Sequence, residues 1–398
     1  MRIGILTEYF CSRNYGGILQ SYALTYYIEK YISETVEQIC FNRDDMGAIH
    51  DNTSHICPSF AEKMKKAINP IKLCKYLKKK YQDALYDARC KRNVHNFAIR
   101  TAAFSAFETE IPHSKNVYTI DNIASCASDY DLLITGSDQV WNYTWFREPY
   151  FLTFSKARKI SYAASIGHGE LPEPWKDKYK ELLKDFSAIS VREEEAVELV
   201  APISPVPVEW VLDPTLLLST AEWDEICAPR MIKDKYMFCY FLGGSKRDRE
   251  LAKQVARRKK LKIVTLPHLL GEYRKEDAVF GNIRLWDVSP KQFISLIKYA
   301  DFVLTDSFHG SVFSNIYRKP FAVFNRSGAN FEGMGGRIKS LCSLTSEEDR
   351  YLNSEEKLTA DYICSLPAAL PEETEQMKQM REKSKEFLKA SICSVTGE

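Results

Sequence analysis

The stretch that decides the fold is FVLTDSFHG, residues 302–310. It opens with an apolar run, Phe302 to Leu304, of the kind found in strands that are buried on both faces. The run ends at Asp306 and Ser307, which are residue types that favour the first position of a helix. The pattern therefore predicts a buried parallel strand that leads directly into a helix.

The same order of strand, polar turn and helix recurs along the chain. In the first half, strand-like runs end at three glycine-containing turns, residues 15–17, 136–138 and 167–169. In the second half, strand and helix patterns alternate over residues 236–324. Because strands that alternate with helices form parallel sheets, both halves are expected to be α/β layers.

A concentration of prolines marks the expected domain boundary. Four prolines fall between Ala201 and Pro214, where they interrupt regular structure. A chain of 398 residues is long enough for two or three domains. We therefore predict an N-terminal domain over 1–204, a C-terminal domain over 205–370 and, within 371–398, a helix that docks on a domain core.

Composition excludes several classes of protein. The net charge is +2 and 45% of the residues are hydrophobic, which argues against a disordered chain. No signal peptide and no apolar run of membrane-spanning length is apparent. The eleven cysteines are scattered without a Cys-x-x-Cys pair, a pattern that fits reduced thiols better than disulfides or a zinc site. A cytoplasmic location, with no metal and no cofactor, is expected.

Residues 62–100 are unusually basic. They contain twelve Lys or Arg and three Asp or Glu, with apolar residues at helical intervals between them, which predicts a basic amphipathic helix pair as an insertion in the first domain. Such a face can simply be solvated. It can also adhere to anionic lipid at the inner face of the membrane or to a polyphosphate-bearing substrate. Nucleic acid is not expected, because no reader motif accompanies the charge.

Candidate site residues should lie where strands end, since helix N-termini and free amides point there in parallel sheets. His309 fits this position, and an imidazole can exchange protons near neutral pH. Ser307 and Gly310 flank it at the start of the same helix. The alternative is a structural histidine at a helix cap.

Two further polar groups follow strands of the first half. Arg192 stands before three glutamates, so it is either a surface ion pair or a guanidinium that binds a carboxylate or phosphate. The loop 136–142 contributes Ser137, Asp138, Gln139 and Asn142 beside a tryptophan. This loop is interpreted as a sugar-contacting loop or, equally well, as a tight structural turn.

Glycines mark two more candidate segments. Asn14, Gly16 and Gly17 lack the spacing of a dinucleotide site or a P-loop, so they are either substrate contacts or a tight turn. The loop 325–337 holds four glycines and brings Arg326 and Arg337, with Lys339 just beyond. It is either a loop that closes over an anion or an ordinary surface loop.

Several of these motifs together resemble the polysaccharide pyruvyl transferase family. The resemblance runs through five blocks in order: 14–24, 136–142, 189–193, 211–217 and 306–320. It implies two Rossmann-like domains that face each other across a cleft, similar to B-type glycosyltransferases. It also implies transfer from phosphoenolpyruvate to a hydroxyl pair of a glycan or lipid-linked oligosaccharide, with a ketal as product and no cofactor.

The resemblance also assigns roles. His309 resembles the family's active-site histidine and Arg192 its anion-binding arginine, while Asp138 is an alternative acceptor for the hydroxyl proton. Many relatives have an arginine where this chain has Ser307. Other groups must then neutralise the negative charge of the donor. The candidates are the amides at the start of the helix after Ser307 and three cations in or just beyond the glycine-containing loop, namely Arg337, Arg326 and Lys339.

Two other functional classes stay open on the sequence alone. The same architecture serves glycosyltransferases that use nucleotide sugars, and fold does not discriminate between them. A non-catalytic glycan-binding protein is the third hypothesis, because Ser307 replaces a basic residue.

Overall fold

The computed structural model describes residues 1–42, 94–269, 274, 276–326 and 335–394. Within them the chain forms two sheets, and every strand pair in both sheets is parallel. The predicted α/β class is confirmed, and each half carries one of the two sheets.

The first lobe is built on a sheet of seven strands. They are β1 (Ile3–Leu6), β2 (Val36–Phe41), β3 (His113–Tyr118), β4 (Leu132–Thr135), β5 (Arg158–Ser161), β6 (Phe186–Val191) and β7 (Val208–Trp210). Their order in the sheet is β3-β2-β1-β4-β5-β6-β7. The helices of this lobe are α1 (Tyr15–Tyr31), α2 (described over 94–108), α3 (Glu173–Leu183) and α4 (Glu194–Val200).

The second lobe is built on a sheet of six strands. They are β8 (Tyr236–Tyr240), β9 (Lys262–Thr265), β10 (Ile283–Arg284), β11 (Phe302–Thr305), β12 (Phe321–Phe324) and β13 (Tyr351–Leu352), in the order β10-β9-β8-β11-β12-β13. The helices from the linker onward are α5 (Thr220–Ile226), α6 (Lys246–Lys259), α7 (Pro290–Lys298), α8 (Phe308–Ile316), α9 (Gly336–Leu344), α10 (Ala360–Ser365) and α11 (Glu375–Cys393).

The central strands are apolar because both faces of each sheet are covered. Every residue of β1, β4 and β11 is buried. Continuous apolar runs are what such strands require, which is why the sequence predicts them well.

Strand order reverses once in each sheet, and the reversal fixes where a site can form. In the first sheet β1 lies between β2 and β4, and in the second β8 lies between β9 and β11. The chain leaves adjacent strands in opposite directions at such points, so a crevice opens beyond their carboxyl ends. The segments that follow β1, β4, β8 and β11 therefore line the two crevices.

The two lobes are tied together by aromatic packing and by one arginine. Tyr15, at the start of α1, stacks on Phe293 of α7 with ring centres 4.5 Å apart, and its hydroxyl donates to the carbonyl of Val288 at 2.7 Å. Arg100 of α2 donates to three carbonyls of the second lobe, those of Pro267, Leu285 and Trp286.

The structure shifts the predicted boundary between the lobes. β7 pairs with β6, so the first sheet continues to Trp210 and does not end at residue 204. The proline-rich stretch holds this short edge strand because a strand at the rim of a sheet tolerates nearby prolines. The C-terminal helix α11 packs back on the linker: Ser384 accepts from the amide of Leu212 at 2.9 Å, and Arg381 donates to the carbonyl of Leu216 at 2.8 Å.

Candidate active site

Arg192 lies directly after β6 and is surrounded by three carboxylates. Its Nη1 donates to Asp213 Oδ2 at 2.9 Å, its Nη2 lies 3.4 Å from Asp138 Oδ1, and its Nε lies 3.5 Å from Glu193 Oε1. The side chain is 2% exposed, so the interpretation as a surface ion pair is wrong. Burial disfavours the charge, but the attraction of the three carboxylates outweighs it, and the pKa of Arg192 is raised above its ordinary value.

Asp213 joins the two lobes at this point. Its Oδ2 accepts from Arg192 and lies 3.5 Å from Nε2 of His309, while its Oδ1 accepts from the amide and the hydroxyl of Thr215. Burial raises the pKa of the Asp213 carboxyl, but His309 and Arg192 lower it by more, so that the pKa lies well below its usual range. Asp213 is therefore an ionised acceptor on which an imidazole and a guanidinium converge.

His309 occupies the second position of α8 and is 6% exposed. Ser307, not His309, caps the helix: its hydroxyl accepts from the amide of Gly310 at 3.3 Å. The Nε2 atom of His309 is buried and makes no well-formed hydrogen bond with the described residues. The interpretation of His309 as a helix cap is therefore wrong.

The start of α1 forms the opposite wall of this group. Asn14 caps the helix by accepting from the amide of Gly16 at 3.0 Å. A Cβ atom at Gly16 would lie 2.0 Å from Nδ1 of His309, and one at Gly17 would lie 2.8 Å from the carbonyl oxygen of Glu8, with Oδ2 of Asp138 at 3.4 Å. The two glycines thus let α1 approach the site closely, and the sequence motif is a close-packing device rather than only a turn.

Glu193 is a buried acid that the sequence interpretation passed over. Its Oε1 accepts from the hydroxyl of Ser165 and faces Arg192, and its Oε2 is buried without a hydrogen-bond partner among the described residues. The two glutamates that follow belong to α4 instead. Its position directly after Arg192 at a strand end was the available signal, but a run of three glutamates masked it.

Arg337 is a buried cation for which the described residues supply no ion-pair partner. It lies at the start of α9, is 9% exposed, and in the described part of the chain forms no ion pair, while its Nε is buried without a hydrogen-bond partner. Its guanidinium carbon lies 5.7 Å from the ring centre of Phe308, and that of Arg192 lies 5.0 Å from the same ring. Burial, together with repulsion from Arg192 and Arg326, lowers the pKa of Arg337 to about 10.

The other two predicted loop cations are engaged elsewhere. Arg326 lies 3.7 Å from a carboxylate oxygen of Asp306 and donates to the carbonyl of the same residue at 2.9 Å. Lys339 is 70% exposed and lies 3.7 Å from Glu195. Of the three candidates, Arg337 alone combines burial with the absence of an ion pair among the described residues.

The loop after β4 divides between site and scaffold. Ser137 lies beside the site, because its hydroxyl is 3.5 Å from Asp213 Oδ2 and 2.9 Å from the carbonyl of Ala163. Gln139 and Asn142 bond each other at 2.8 Å, and none of their hydrogen bonds with described residues reaches Arg192 or His309. The tryptophan of this loop, Trp141, is buried and belongs to the hydrophobic core of the first lobe.

The predicted basic segment is described only at its end. Residues 62–93, with eleven of its twelve cations, lie outside the described residues. The twelfth, Arg100, is 4% exposed and bonds the carbonyls of the second lobe, so it is not available to a membrane.

The described helices include none with the length and hydropathy of a membrane-spanning segment. The described residues hold no group of three or more His, Cys, Asp and Glu that could bind a metal ion.

Two Rossmann-like lobes with a site between them define a protein of the B-type glycosyltransferase fold class. The model of the family described as polysaccharide pyruvyl transferase matches residues 14–328, which is most of the chain. The chain belongs to the polysaccharide pyruvyl transferase family, and it is a transferase of polysaccharide pyruvylation. The family predicted from the five motif blocks is confirmed.

Two solved structures that are similar to the chain are UDP-GlcNAc 2-epimerases. A UDP-GlcNAc 2-epimerase from Methanocaldococcus jannaschii is similar over 98% of this chain and 99% of its own, with a TM-score of 0.51 and 11% identity. The enzyme from Neisseria meningitidis bound to UDP-GlcNAc is similar over 99% of this chain and 100% of its own, with a TM-score of 0.48 and 11% identity. No curated protein sequence matches the chain significantly. At 11% identity, the first likeness shows the fold alone.

Proposed function

We propose that the protein transfers the pyruvyl group of phosphoenolpyruvate to two hydroxyls of a glycan and releases phosphate. The observation that carries this proposal is the buried cation Arg337, which forms no ion pair among the described residues and lies beside the helix that presents His309. An unpaired buried charge is costly, so its persistence argues for an anionic ligand that completes it. A proton-transfer group next to an anion site is what an enol phosphate requires.

The proposed reaction balances as follows. A proton adds to the methylene carbon of the donor, and C2 becomes electrophilic. One glycan hydroxyl forms a bond to C2 and gives up its proton. The bond between C2 and the phosphate oxygen then breaks, phosphate leaves with one proton, and the second hydroxyl closes the ring on C2 and loses its own proton. The products are a cyclic ketal and inorganic phosphate.

Charge for the donor anion comes from several elements. Arg337 supplies a full guanidinium, and Arg192 has five N–H groups of which three already bond carboxylates. The amides of Phe308 and His309, at the positive end of α8, have no acceptor in the described part of the chain. In this proposal Arg337 supplies the charge that the arginine at position 307 supplies in many relatives.

Proton transfer is assigned to His309 and to the carboxylates around Arg192. His309 is assigned delivery of the proton to the methylene carbon, because its Nε2, 3.5 Å from Asp213 Oδ2, makes no well-formed hydrogen bond with the described residues. Glu193 Oε2 and Asp138 are the candidate acceptors for the hydroxyl protons. Asp213 positions the imidazole and the guanidinium relative to each other, so it is a positioning residue.

The acceptor is proposed to be a surface polysaccharide or its lipid-linked precursor, at the inner face of the membrane. The eleven cations of residues 62–93 support adhesion to anionic lipid, each contributing about 1 kcal/mol near the surface. Charge reversal of several lysines between Lys63 and Lys80 should lower binding to phosphatidylglycerol vesicles at low salt. Unchanged binding would show that the segment is an ordinary solvated surface.

Phosphate release is the test of the proposed reaction. The protein is incubated with phosphoenolpyruvate and a panel of lipid-linked glycans, and inorganic phosphate and the mass of each glycan are measured. We expect phosphate release that depends on one acceptor and a matching ketal on that glycan. If a parallel incubation with UDP-sugars releases UDP and adds the mass of one sugar to a glycan, the protein is a glycosyltransferase instead. Binding of glycan without any turnover would identify a binding protein.

A further inference from the structure

A cluster of aromatic side chains lies just beyond the active-site loop. The ring of Tyr143 is centred 5.0 Å from the ring of His168 and 6.0 Å from that of Trp175, and Phe146 lies 5.2 Å from Trp175. Trp145, on the same turn, is 39% exposed. We call these five side chains the aromatic shelf.

The shelf rests on a fixed base. Phe146 packs on the buried Phe151 at 5.7 Å, and Trp175 meets the buried Tyr179 edge-on at 6.0 Å. The ammonium group of Lys178 lies 3.8 Å from the ring centre of Phe146. Because its lower side is packed into the core of the first lobe, the shelf is preformed and does not need to order when a ligand binds.

Three polar tips of the shelf are without a hydrogen bond among the described residues. They are the hydroxyl of Tyr143 and the indole N–H groups of Trp145 and Trp175. Rings that combine an apolar face with a free polar tip suit ligands with the same mixture. A pyranose has such a mixture, because one face presents C–H groups and its rim presents hydroxyls.

The shelf is close to the site along the chain. Tyr143 follows Asp138 by five residues, so their Cα atoms are at most about 17 Å apart. This separation is within the span of a chain of a few sugars. The segment that carries His168 also contacts the loop after β4. Gly167, which directly precedes His168, lies next to the side chains of Gln139 and Asn142.

We propose that the aromatic shelf is a subsite for sugar units of the acceptor glycan that are not themselves modified. The inference rests on the proposed function for the identity of the reacting sugar, and it makes the substrate class an oligosaccharide rather than a monosaccharide. In this inference the role of Gln139 and Asn142, which do not reach the reacting groups, is to stabilise the turn that carries the shelf.

The test compares binding of short and long glycans without donor. The probes are homo-oligomers of glucose, galactose, mannose and N-acetylglucosamine, one to six units long, titrated calorimetrically. For at least one series, we expect affinity to rise about tenfold with length, and the variant Tyr143→Ala/Trp145→Ala to lose that gain while binding monomers as before. The variant Trp145→Phe, which keeps an aromatic ring, should retain part of the gain in affinity with glycan length. The matched control is Tyr31→Ala, which removes a 49% exposed ring on the far end of α1.

The outcomes separate this inference from the proposed function. If no series binds with a dependence on length, or if the double variant binds hexamers like the wild type, the shelf is not a glycan subsite. If phosphoenolpyruvate neither binds nor reacts while the length dependence and its loss persist, the proposed reaction fails and the subsite stands. The melting temperature of the double variant, measured alongside, must match that of the wild type for its loss of affinity to count as support.

Discussion

The imidazole of His309 occupies the space that a side chain at Gly16 would need, since a Cβ there would lie 2.0 Å from Nδ1. The two residues come from different lobes, so the contact fixes the ring of the second lobe against the first turn of α1. With Asp213 on its other nitrogen, the imidazole is held from two sides. The site is thus a product of how the lobes are assembled.

Gly16→Ala should damage activity more than stability. The new methyl group displaces the imidazole, and a shift of about 1 Å at a reacting group can cost about 100-fold in rate. The turnover number for phosphate release is the measurement. Gly244→Ala is the matched control, because a Cβ at Gly244 meets nothing within 4 Å. Equal rates for the two variants would contradict the account of the contact.

His309→Ala should abolish acceptor-dependent phosphate release and leave the fold intact. The reaction needs a proton delivered to carbon, and general acid catalysis contributes about 100- to 10,000-fold. Circular dichroism and the melting temperature check the fold. His95→Ala, at an exposed position on α2, is the control for loss of an imidazole. Full activity in His309→Ala would remove this residue from the mechanism.

Asp213→Asn should lower stability at neutral pH, and the deficit should shrink in acid. Burial opposes the charge on Asp213, but His309 and Arg192 outweigh it and hold its pKa well below the unfolded value of about 3.9. Its ionised form therefore stabilises the fold above about pH 4, and that stabilisation is lost as pH falls through the depressed pKa. We expect a loss of about 3–5 kcal/mol at pH 7, measured by urea unfolding. A deficit that grows below pH 4 would contradict the pairing.

Arg100→Ala should loosen the two lobes without affecting membrane binding. It leaves three carbonyls of the second lobe without their donor, and each buried unsatisfied group costs about 1–3 kcal/mol. Limited proteolysis and the unfolding midpoint report the loss. Binding to anionic vesicles should stay at the level of the wild type, and a drop there would mean that Arg100 faces the lipid.

Much of the central fold could be predicted because its strands are continuous apolar segments of the sequence. β1, β4 and β11 are continuous buried strands, and each was placed from sequence alone. Strand β2 is not predicted from the sequence, because Glu37 and Gln38 interrupt its apolar run. In the structure the side-chain amide of Gln38 is buried against α1, where it donates to the hydroxyl of Thr25 at 2.9 Å. β7, β10 and β13 have two or three residues each, too few for any periodicity to show.

The site was only half predictable for a different reason. His309 and Arg192 stand at strand ends, where the sequence pattern points to them. Asp213 follows Arg192 by 21 residues and lies in a proline-rich linker, and only the folded chain brings it between the two lobes. The choice of Arg337 among three loop cations depended on burial and pairing, which periodicity does not encode.

Thermal protection by phosphoenolpyruvate, in the wild type and in Arg337→Met, tests the central claim most directly. A ligand at about 100 times its dissociation constant stabilises the fold by about 2.7 kcal/mol, which raises the melting temperature by several degrees. We predict this rise for the wild type and for the control Lys339→Met, and its loss in Arg337→Met, with no rise for UDP-GlcNAc. Protection by UDP-GlcNAc but not by phosphoenolpyruvate, or full protection of Arg337→Met, would contradict an anion site built on this buried cation.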